Sequence, residues 1–153
     1  MKQALVLGSL LLALGACSKA TPPAPAGVIT VSEAWCRAAP AAAPAGGCYL
    51  TVTSSADDRL VSVSTTAADH AEIHTMDMTD GVMRMRQLTD GLALPAGEAV
   101  ALAPGGRHLM LIAPKAELAA GSKVSLTLNF AKGAAQTIEV PVRAAPMSGD
   151  HMG

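Results

Sequence analysis

The chain has 153 residues and a formal net charge of −1, which is enough for one domain and leaves no strong charge imbalance. Half of its residues are hydrophobic, but it has only one tryptophan, one tyrosine and one phenylalanine, so aliphatic residues and methionine must build its core. Because no basic stripe runs along the sequence, nucleic acid is not expected as a partner.

The first residues resemble a bacterial lipoprotein signal. Lys2 gives a positive start, residues 4–14 form an apolar run, and Gly15-Ala16-Cys17 follows. An apolar run this short does not span a bilayer as a stable anchor, whereas small residues before a cysteine are typical of a lipobox cut by signal peptidase II. We therefore predict that residues 1–16 are a signal peptide and that Cys17 is lipidated. An ordinary secretory signal with an incidental cysteine is the alternative.

The predicted lipid places the protein in the cell envelope. Ser18 follows Cys17, and in lipoproteins of this kind an aspartate at that position usually means retention in the inner membrane. We therefore expect a periplasmic protein that is anchored in the outer membrane. Residues 17–27 contain three prolines, which favour an extended, semi-rigid tether between the lipid and the folded domain.

The middle of the chain, residues 28–143, is predicted to be a single all-β domain. Short segments rich in Val, Ile, Leu and Thr are separated by Gly, Pro and Asp, which is typical of a β-sandwich or barrel. Residues 38–45 are rich in alanine, but two prolines argue against a helix there. We predict nine strands, near residues 28–35, 47–54, 58–64, 71–78, 82–88, 98–103, 107–112, 122–131 and 135–142.

Two cysteines remain once Cys17 is assigned to the lipid. Cys36 and Cys48 are an even pair in an oxidising compartment, where a disulfide is more common than free thiols. We predict an intramolecular disulfide between them. The alternative is a pair of thiolate metal ligands, although their spacing matches no familiar copper motif.

Soft donor side chains recur with a period of two in "HTMDM" (residues 74–78) and "RHLML" (residues 107–111). Side chains at alternate positions of a strand point to one face of the sheet. His74, Met76 and Met78 therefore share one face, and so do His108 and Met110. The segment "GVMRMR" adds Met83 and Met85 between them.

A hairpin is expected to bring these methionines together. Asp80-Gly81 is a strong signal for a two-residue β-turn. With those residues in the turn, Thr79 pairs with Val82, Met78 with Met83, and Met76 with Met85. His74 then lies diagonally from Met85, which is within reach of long side chains.

Thioether and imidazole ligands together suit Cu(I), a soft ion, and methionine is not disabled by disulfide formation. The competing interpretation is that methionine fills an irregular core, which it often does. However, five of the seven methionines after Cys17 lie between residues 76 and 110, and two His-x-Met units frame them. The pattern favours a soft-metal site on a β-domain.

The same residues carry a resemblance to a known family. "AEIHTMDMTDGVMRMR" and "LPAGEAVALAPGGRHLMLI" are very similar to the periplasmic copper chaperones called PCu(A)C. Ten residues separate His74 from Met85, as in the family, and His108-Leu109-Met110 closes the motif. The 22 residues between Met85 and His108 are one more than the family's usual spacing. Cys36 and Cys48 also depart from the family pattern.

The resemblance implies a cupredoxin-like, Greek-key β-sandwich or barrel that binds Cu(I) and is not an enzyme. The principal ligands it implies are His74, Met85, His108 and Met110, with Met76, Met78 and Met83 as auxiliary donors. It further implies delivery of copper to the binuclear copper centre of cytochrome c oxidase, with the oxidase copper subunit and Sco-like thioredoxin-fold proteins as partners. We expect a monomer.

Two other functions compete with a copper chaperone. An electron-transfer cupredoxin needs a thiolate ligand near two histidines, and no cysteine lies near His108. A structural or adaptor lipoprotein with a methionine-rich core would bind no copper tightly.

The remaining histidines and methionines lie at the edges of the motif. His70 is interpreted as a surface residue. Residues 144–153 are expected to be a flexible tail, in which Met147, Asp150, His151 and Met152 repeat the donor types of the site. The tail is either a frayed end or an accessory arm that holds Cu(II) weakly, because histidine and carboxylate suit Cu(II) better than thioethers do.

Overall fold

Ten β-strands form the domain in the computed structural model, which describes residues 25–144. They are β1 (Ile29–Arg37), β2 (Ala45–Ser54), β3 (Asp58–Thr65), β4 (Ala68–Thr79), β5 (Val82–Gln87), β6 (Leu92–Leu94), β7 (Ala99–Leu102), β8 (His108–Pro114), β9 (Lys123–Phe130) and β10 (Gln136–Arg143). Within residues 25–144 no helix is present, and hence none that is long and apolar enough to cross a membrane. The predicted signal peptide, Cys17 and the tail residues from 145 onward lie outside the described range.

The strands follow the order β5-β4-β8-β2-β1-β10-β9-β3-β6. β2 serves two partners on one edge, because its first half pairs with β8 and its second half with β7. β1 and β10 run parallel, whereas the other pairs are antiparallel. At one end of this order, β5, β4 and β8 form an arm of the sheet that carries the predicted metal ligands. At the other end, β9, β3 and β6 form the second arm.

The core is aliphatic and lies between the two arms. In strand β9 the buried residues Val124, Leu126 and Leu128 alternate with exposed or partly buried ones, so these three side chains point inward. Leu109 and Leu111 of β8 are fully buried in the same cluster from the other side. Burial of these side chains is the main stabilising contribution to such a sandwich. The prediction of an all-β domain is confirmed.

One strand was missed in the sequence, and the bounds of the others differ by a few residues. β6 has only three residues, which is too short for a period of two to be recognised. Its outer residues Leu92 and Leu94 are buried, so the segment is held by the core rather than by its own pattern. Residues 38–45 form no helix, as predicted; Ala39 makes an isolated bridge with Leu118.

A disulfide bond joins Cys36 to Cys48. The two residues are directly opposite each other on β1 and β2, and both are fully buried. Cys48 is also opposite Leu109 of β8, on the side of the sheet that faces the core. The bond is therefore part of the interior beneath the arm that carries the histidines.

Candidate metal centre

The hairpin of β4 and β5 has the predicted register. Thr79 pairs with Val82, Met78 with Met83 and Met76 with Met85. The turn residues Asp80 and Gly81 both have positive φ, 52° and 75°, as a type I′ turn requires. A local turn signal therefore places the methionines of the two strands in directly opposed pairs.

The methionines of this hairpin are not core residues. Met78 is 68% exposed, and Met83 and Met85 are each 50% exposed. Met76 and Met110 are partly buried, and the buried core of residues 25–144 contains no methionine. The interpretation that methionine fills the interior is therefore wrong for the described part of the chain. The exposure of these thioethers needs another explanation, because a fold is stabilised when its apolar side chains are buried.

Strand β8 lies on the other side of β4 and adds His108 and Met110 to the donor side chains of the hairpin. The outward-facing side chains of β4, β5 and β8, which include His74, His108 and the five methionines, are called the patch. His74 is directly opposite His108, and their ring centroids are 5.8 Å apart. Their neighbours Ile73 and Leu109 point into the core, so the two imidazoles lie on the outer face of the sheet. Two rings this close can bind one ion, since a metal–imidazole bond is about 2 Å long.

Each imidazole makes one hydrogen bond at a defined ring nitrogen. His108, which is only 7% exposed, places Nδ1 2.9 Å from the carbonyl oxygen of Gly106. His74 places Nε2 2.7 Å from a carboxylate oxygen of Glu72, and its Nδ1 is buried with no hydrogen-bond partner. An unpartnered buried nitrogen is uncommon in a folded protein, and it fits a position that a metal ion occupies.

Glu72 is the charged residue of the patch. The hydrogen bond from His74 lowers the pKa of this carboxyl, burial opposes that effect, and the hydrogen bond from His70 lowers it further. Glu72 therefore stays ionised below the usual range for a glutamate. His70 lies on the surface side of Glu72, with Nε2 3.1 Å from the other carboxylate oxygen and a side chain that is 56% exposed.

The thioethers approach the histidine pair from opposite directions. Met110 is opposite Glu72 on β4, and Met85 is opposite Met76, so the two predicted ligands lie at opposite diagonals from His74. On a flat sheet their Cα atoms would be about 17 Å apart, from strands about 4.8 Å apart and about 3.4 Å per residue. Both side chains must therefore extend towards the histidines.

Met76 has a shorter path to the pair than Met85. It lies two residues from His74 on the same strand and face, about 7 Å away in a flat sheet. Met78 and Met83 form the next row outward and face each other. The register thus brings His74, His108, Met76 and Met110 closest together, and it leaves Met85 at the edge of that group.

Sequence reasoning missed Glu72. Its signal was present in "HAEIH", where His70, Glu72 and His74 alternate on one face of a strand. Cys36 and Cys48 lie in the core rather than at the patch. Cys17, His151 and Met152 fall outside the described residues.

Solved structures with this fold include copper-binding domains. A copper-bound PCuAC domain from PmoF2 is 27% identical, with a TM-score of 0.65 over 78% of this chain and 96% of that chain. The apo form of DR1885 from Deinococcus radiodurans is 25% identical, with a TM-score of 0.59 over 94% of this chain and 100% of that chain. The Cu(I) form of DR1885 is also 25% identical, with a TM-score of 0.57 over 84% of this chain and 83% of that chain. The domain therefore has the cupredoxin-like PCuAC fold, and the resemblance read from the motif is confirmed.

The family follows from the sequence comparisons. The profile described as "Putative lipoprotein LpqE-like" matches residues 29–142. The "Putative lipoprotein Lxx21020" of Leifsonia xyli subsp. xyli (strain CTCB07) is 34% identical over 147 residues, which cover 92% of this chain and 89% of the relative. The chain belongs to the LpqE-like family.

Proposed function

We propose that this protein is a copper chaperone of the cell envelope that binds one Cu(I) ion on the outer face of β4, β5 and β8. The principal ligands are His74, Met85, His108 and Met110, the set that the motif's resemblance to the PCu(A)C chaperones implies. Met85 joins them by extending its side chain past Met76 from the edge of the group. The observation that carries the proposal is the pair of imidazoles, 5.8 Å apart, beside exposed methionines that no core requires. Neutral thioether and imidazole ligands are the donor set that a soft monovalent copper ion prefers.

The position of the patch suits transfer rather than burial of the ion. Met85 is half exposed, and Met78 and Met83 extend the thioether surface outward along the hairpin. A partner's ligands can therefore approach the ion from solvent and replace the thioethers one at a time, while the largely buried His108 holds it. Met76, Met78 and Met83 serve as auxiliary donors along that path.

The recipient and location are part of the same proposal. Delivery to the binuclear copper centre of cytochrome c oxidase, with Sco-like thioredoxin-fold proteins as co-workers, follows from the motif's resemblance to the PCu(A)C chaperones. The likeness to copper-bound PCuAC domains supports the copper binding that this delivery requires. The lipobox and the relative's name support a lipid anchor at Cys17 and a periplasmic location. Assignment to the outer membrane rests on Ser18 alone. The protein acts as a monomer and is not an enzyme.

Competition for Cu(I) against a chromogenic chelator tests the binding site directly. The purified domain is expected to take up one Cu(I) ion per chain without the intense blue colour that a thiolate-bound Cu(II) centre shows. Failure to compete with the chelator at any ratio would refute the proposal. An intense blue colour with Cu(II) would indicate an electron carrier instead.

Two alanine variants test whether Met85 or its cross-strand neighbour Met76 is the principal ligand. Met85→Ala is expected to weaken Cu(I) binding at least tenfold, about 1.4 kcal/mol. Met76→Ala is the matched control, because Met76 is the residue directly opposite on β4. If Met76→Ala had the larger effect, Met76 would replace Met85 in the ligand set.

Transfer is tested with the isolated copper-binding domain of the oxidase subunit as acceptor. The Cu(I)-loaded chaperone is expected to metallate this domain, or a Sco-like intermediate, faster than an equal concentration of chelator-buffered Cu(I). Equal rates from both copper sources would mean that the protein stores copper rather than delivers it.

The C-terminal residues are proposed as a second, weaker site for Cu(II). Asp150 and His151 supply a carboxylate and an imidazole, with Met147 and Met152 beside them. Deletion of residues 147–153 is expected to leave Cu(I) affinity nearly unchanged and to lower Cu(II) uptake. Equal Cu(II) binding by the full-length and shortened proteins would exclude an accessory role for the tail.

A further inference from the structure

The two histidines of the site present different ring nitrogens to the metal. We propose that His74 binds through Nδ1 and His108 through Nε2, and that Glu72 is the positioning residue that holds His74 in this orientation. The inference rests on the proposed Cu(I) site and assigns to it the two ligand atoms and one supporting carboxylate.

The assignment for His74 follows from its hydrogen bond to Glu72. A carboxylate that is ionised can only accept, so the His74 Nε2 atom, 2.7 Å from the carboxylate oxygen, must carry the proton. In the neutral imidazole the other nitrogen, Nδ1, then has a free lone pair. That nitrogen is buried and has no hydrogen-bond partner. It is the available ligand atom.

His108 has the opposite arrangement. Its Nδ1 lies 2.9 Å from the carbonyl oxygen of Gly106, and a carbonyl oxygen can only accept. Nδ1 of His108 therefore carries the proton, and Nε2 has the free lone pair. Because His74 and His108 are directly opposite on neighbouring strands, the two lone pairs come from rings that share one face.

Glu72 occupies a position that suits a supporting role. It lies two residues from His74 on the same strand and is opposite Met110 on β8. Glu72 is therefore next to two proposed ligands while not being one itself. Its second carboxylate oxygen accepts from His70, which limits rotation of the carboxylate. A carboxylate that accepts a hydrogen bond from the second nitrogen of a metal-bound imidazole fixes the tautomer and the orientation of the ring.

The first test needs no metal. In ¹⁵N-labelled protein at about pH 8, long-range ¹H–¹⁵N correlation spectra separate protonated from bare ring nitrogens. Without copper, His74 is expected to carry its proton on Nε2 and His108 on Nδ1. On titration with Cu(I), which is diamagnetic, the resonances that shift most should be His74 Nδ1 and His108 Nε2. A proton on His74 Nδ1, or copper bound at His74 Nε2, would overturn the inference.

Variants of Glu72 test its role. Glu72→Ala is expected to lower Cu(I) affinity at least tenfold, in line with other residues that support metal ligands, and to give His74 a mixture of tautomers. Glu72→Gln retains an oxygen that accepts from Nε2, so it should restore both the affinity and the single tautomer. His70→Ala is the comparison variant, because it removes the other partner of Glu72 but leaves the bond to His74, so it should lower the Cu(I) affinity less than Glu72→Ala and keep the single His74 tautomer.

The outcomes distinguish this inference from the proposed function. If Cu(I) binds one to one but Glu72→Ala keeps full affinity and a single His74 tautomer, the positioning role fails and the copper site stands. If Cu(I) shifts neither imidazole, the proposed site itself fails. The tautomers of the metal-free protein then remain a test of the hydrogen-bond assignment alone.

Discussion

The disulfide between Cys36 and Cys48 gives a prediction whose size follows from the structure. The two residues are 12 apart in sequence. A loop of that length has a closure entropy in the unfolded chain of about 9.5 cal/mol/K, which corresponds to about 3 kcal/mol at 25 °C. Loss of the bond should lower the free energy of unfolding by about that amount, and the Tm of a domain of this size by about 10 °C.

The two single alanine variants and the double variant together measure the bond. Cys36→Ala and Cys48→Ala each break the same bond, so each should lose nearly the full 3 kcal/mol or so, and the double variant should lose little more. Separate, unbonded cysteines would instead give losses that add, apart from the coupling expected between neighbours. Urea denaturation of the four proteins, with no reductant, gives the three differences in the free energy of unfolding.

Copper binding by the double variant tests whether the cysteines belong to the metal site. Both are fully buried on the core side of the sheet, beneath the strand that carries His108. The double alanine variant is therefore expected to bind Cu(I) as tightly as the unaltered protein. Two titratable thiols in the non-reduced protein, additive losses of stability, or a fall in Cu(I) affinity would each refute the reasoning.

Three further predictions concern the site and the fold. Alanine at any of the four proposed ligands should weaken Cu(I) binding at least tenfold, whereas Met78→Ala, at a position 68% exposed and one row further out, should do much less in the same chelator assay. Gly91→Ala should destabilise the domain by at least about 1 kcal/mol more than Gly97→Ala in urea denaturation, because both glycines have positive φ but only at Gly91 would the new methyl group meet backbone atoms. Burial raises the pKa of Asp58, but three backbone N–H groups and a nearby lysine outweigh it and hold that pKa below its usual range. The ionised carboxylate thus stabilises the fold above about pH 4, and its contribution is lost as the pH falls through the lowered pKa, so stability measured from pH 6 to pH 2 should fall less steeply in Asp58→Asn.

Local patterns were sufficient to predict nine of the ten strands and the hairpin. The turn residues Asp80 and Gly81 and the alternation of polar and apolar residues depend only on neighbours in sequence, so the pairing of Met76 with Met85 could be read directly. The exposure of the methionines could not. Whether an alternating face is covered depends on which other elements pack against it, and in the described residues this face is covered at His108 but leaves Met78, Met83 and Met85 at least half exposed.

The contact that makes the site is a tertiary one. His74 and His108 come together because β8 pairs with β4, and the sequence contains no local signal for which strand edges meet. The short strand β6 and the hydrogen bonds that the two rings donate to Glu72 and to the carbonyl oxygen of Gly106 likewise depend on that assembly. The sequence by itself determined the donor types and their alternation, since these follow from a period of two and a turn. Only the folded sheet decided which donors are neighbours and which ring nitrogens are left free, because both depend on contacts between residues that are distant along the chain.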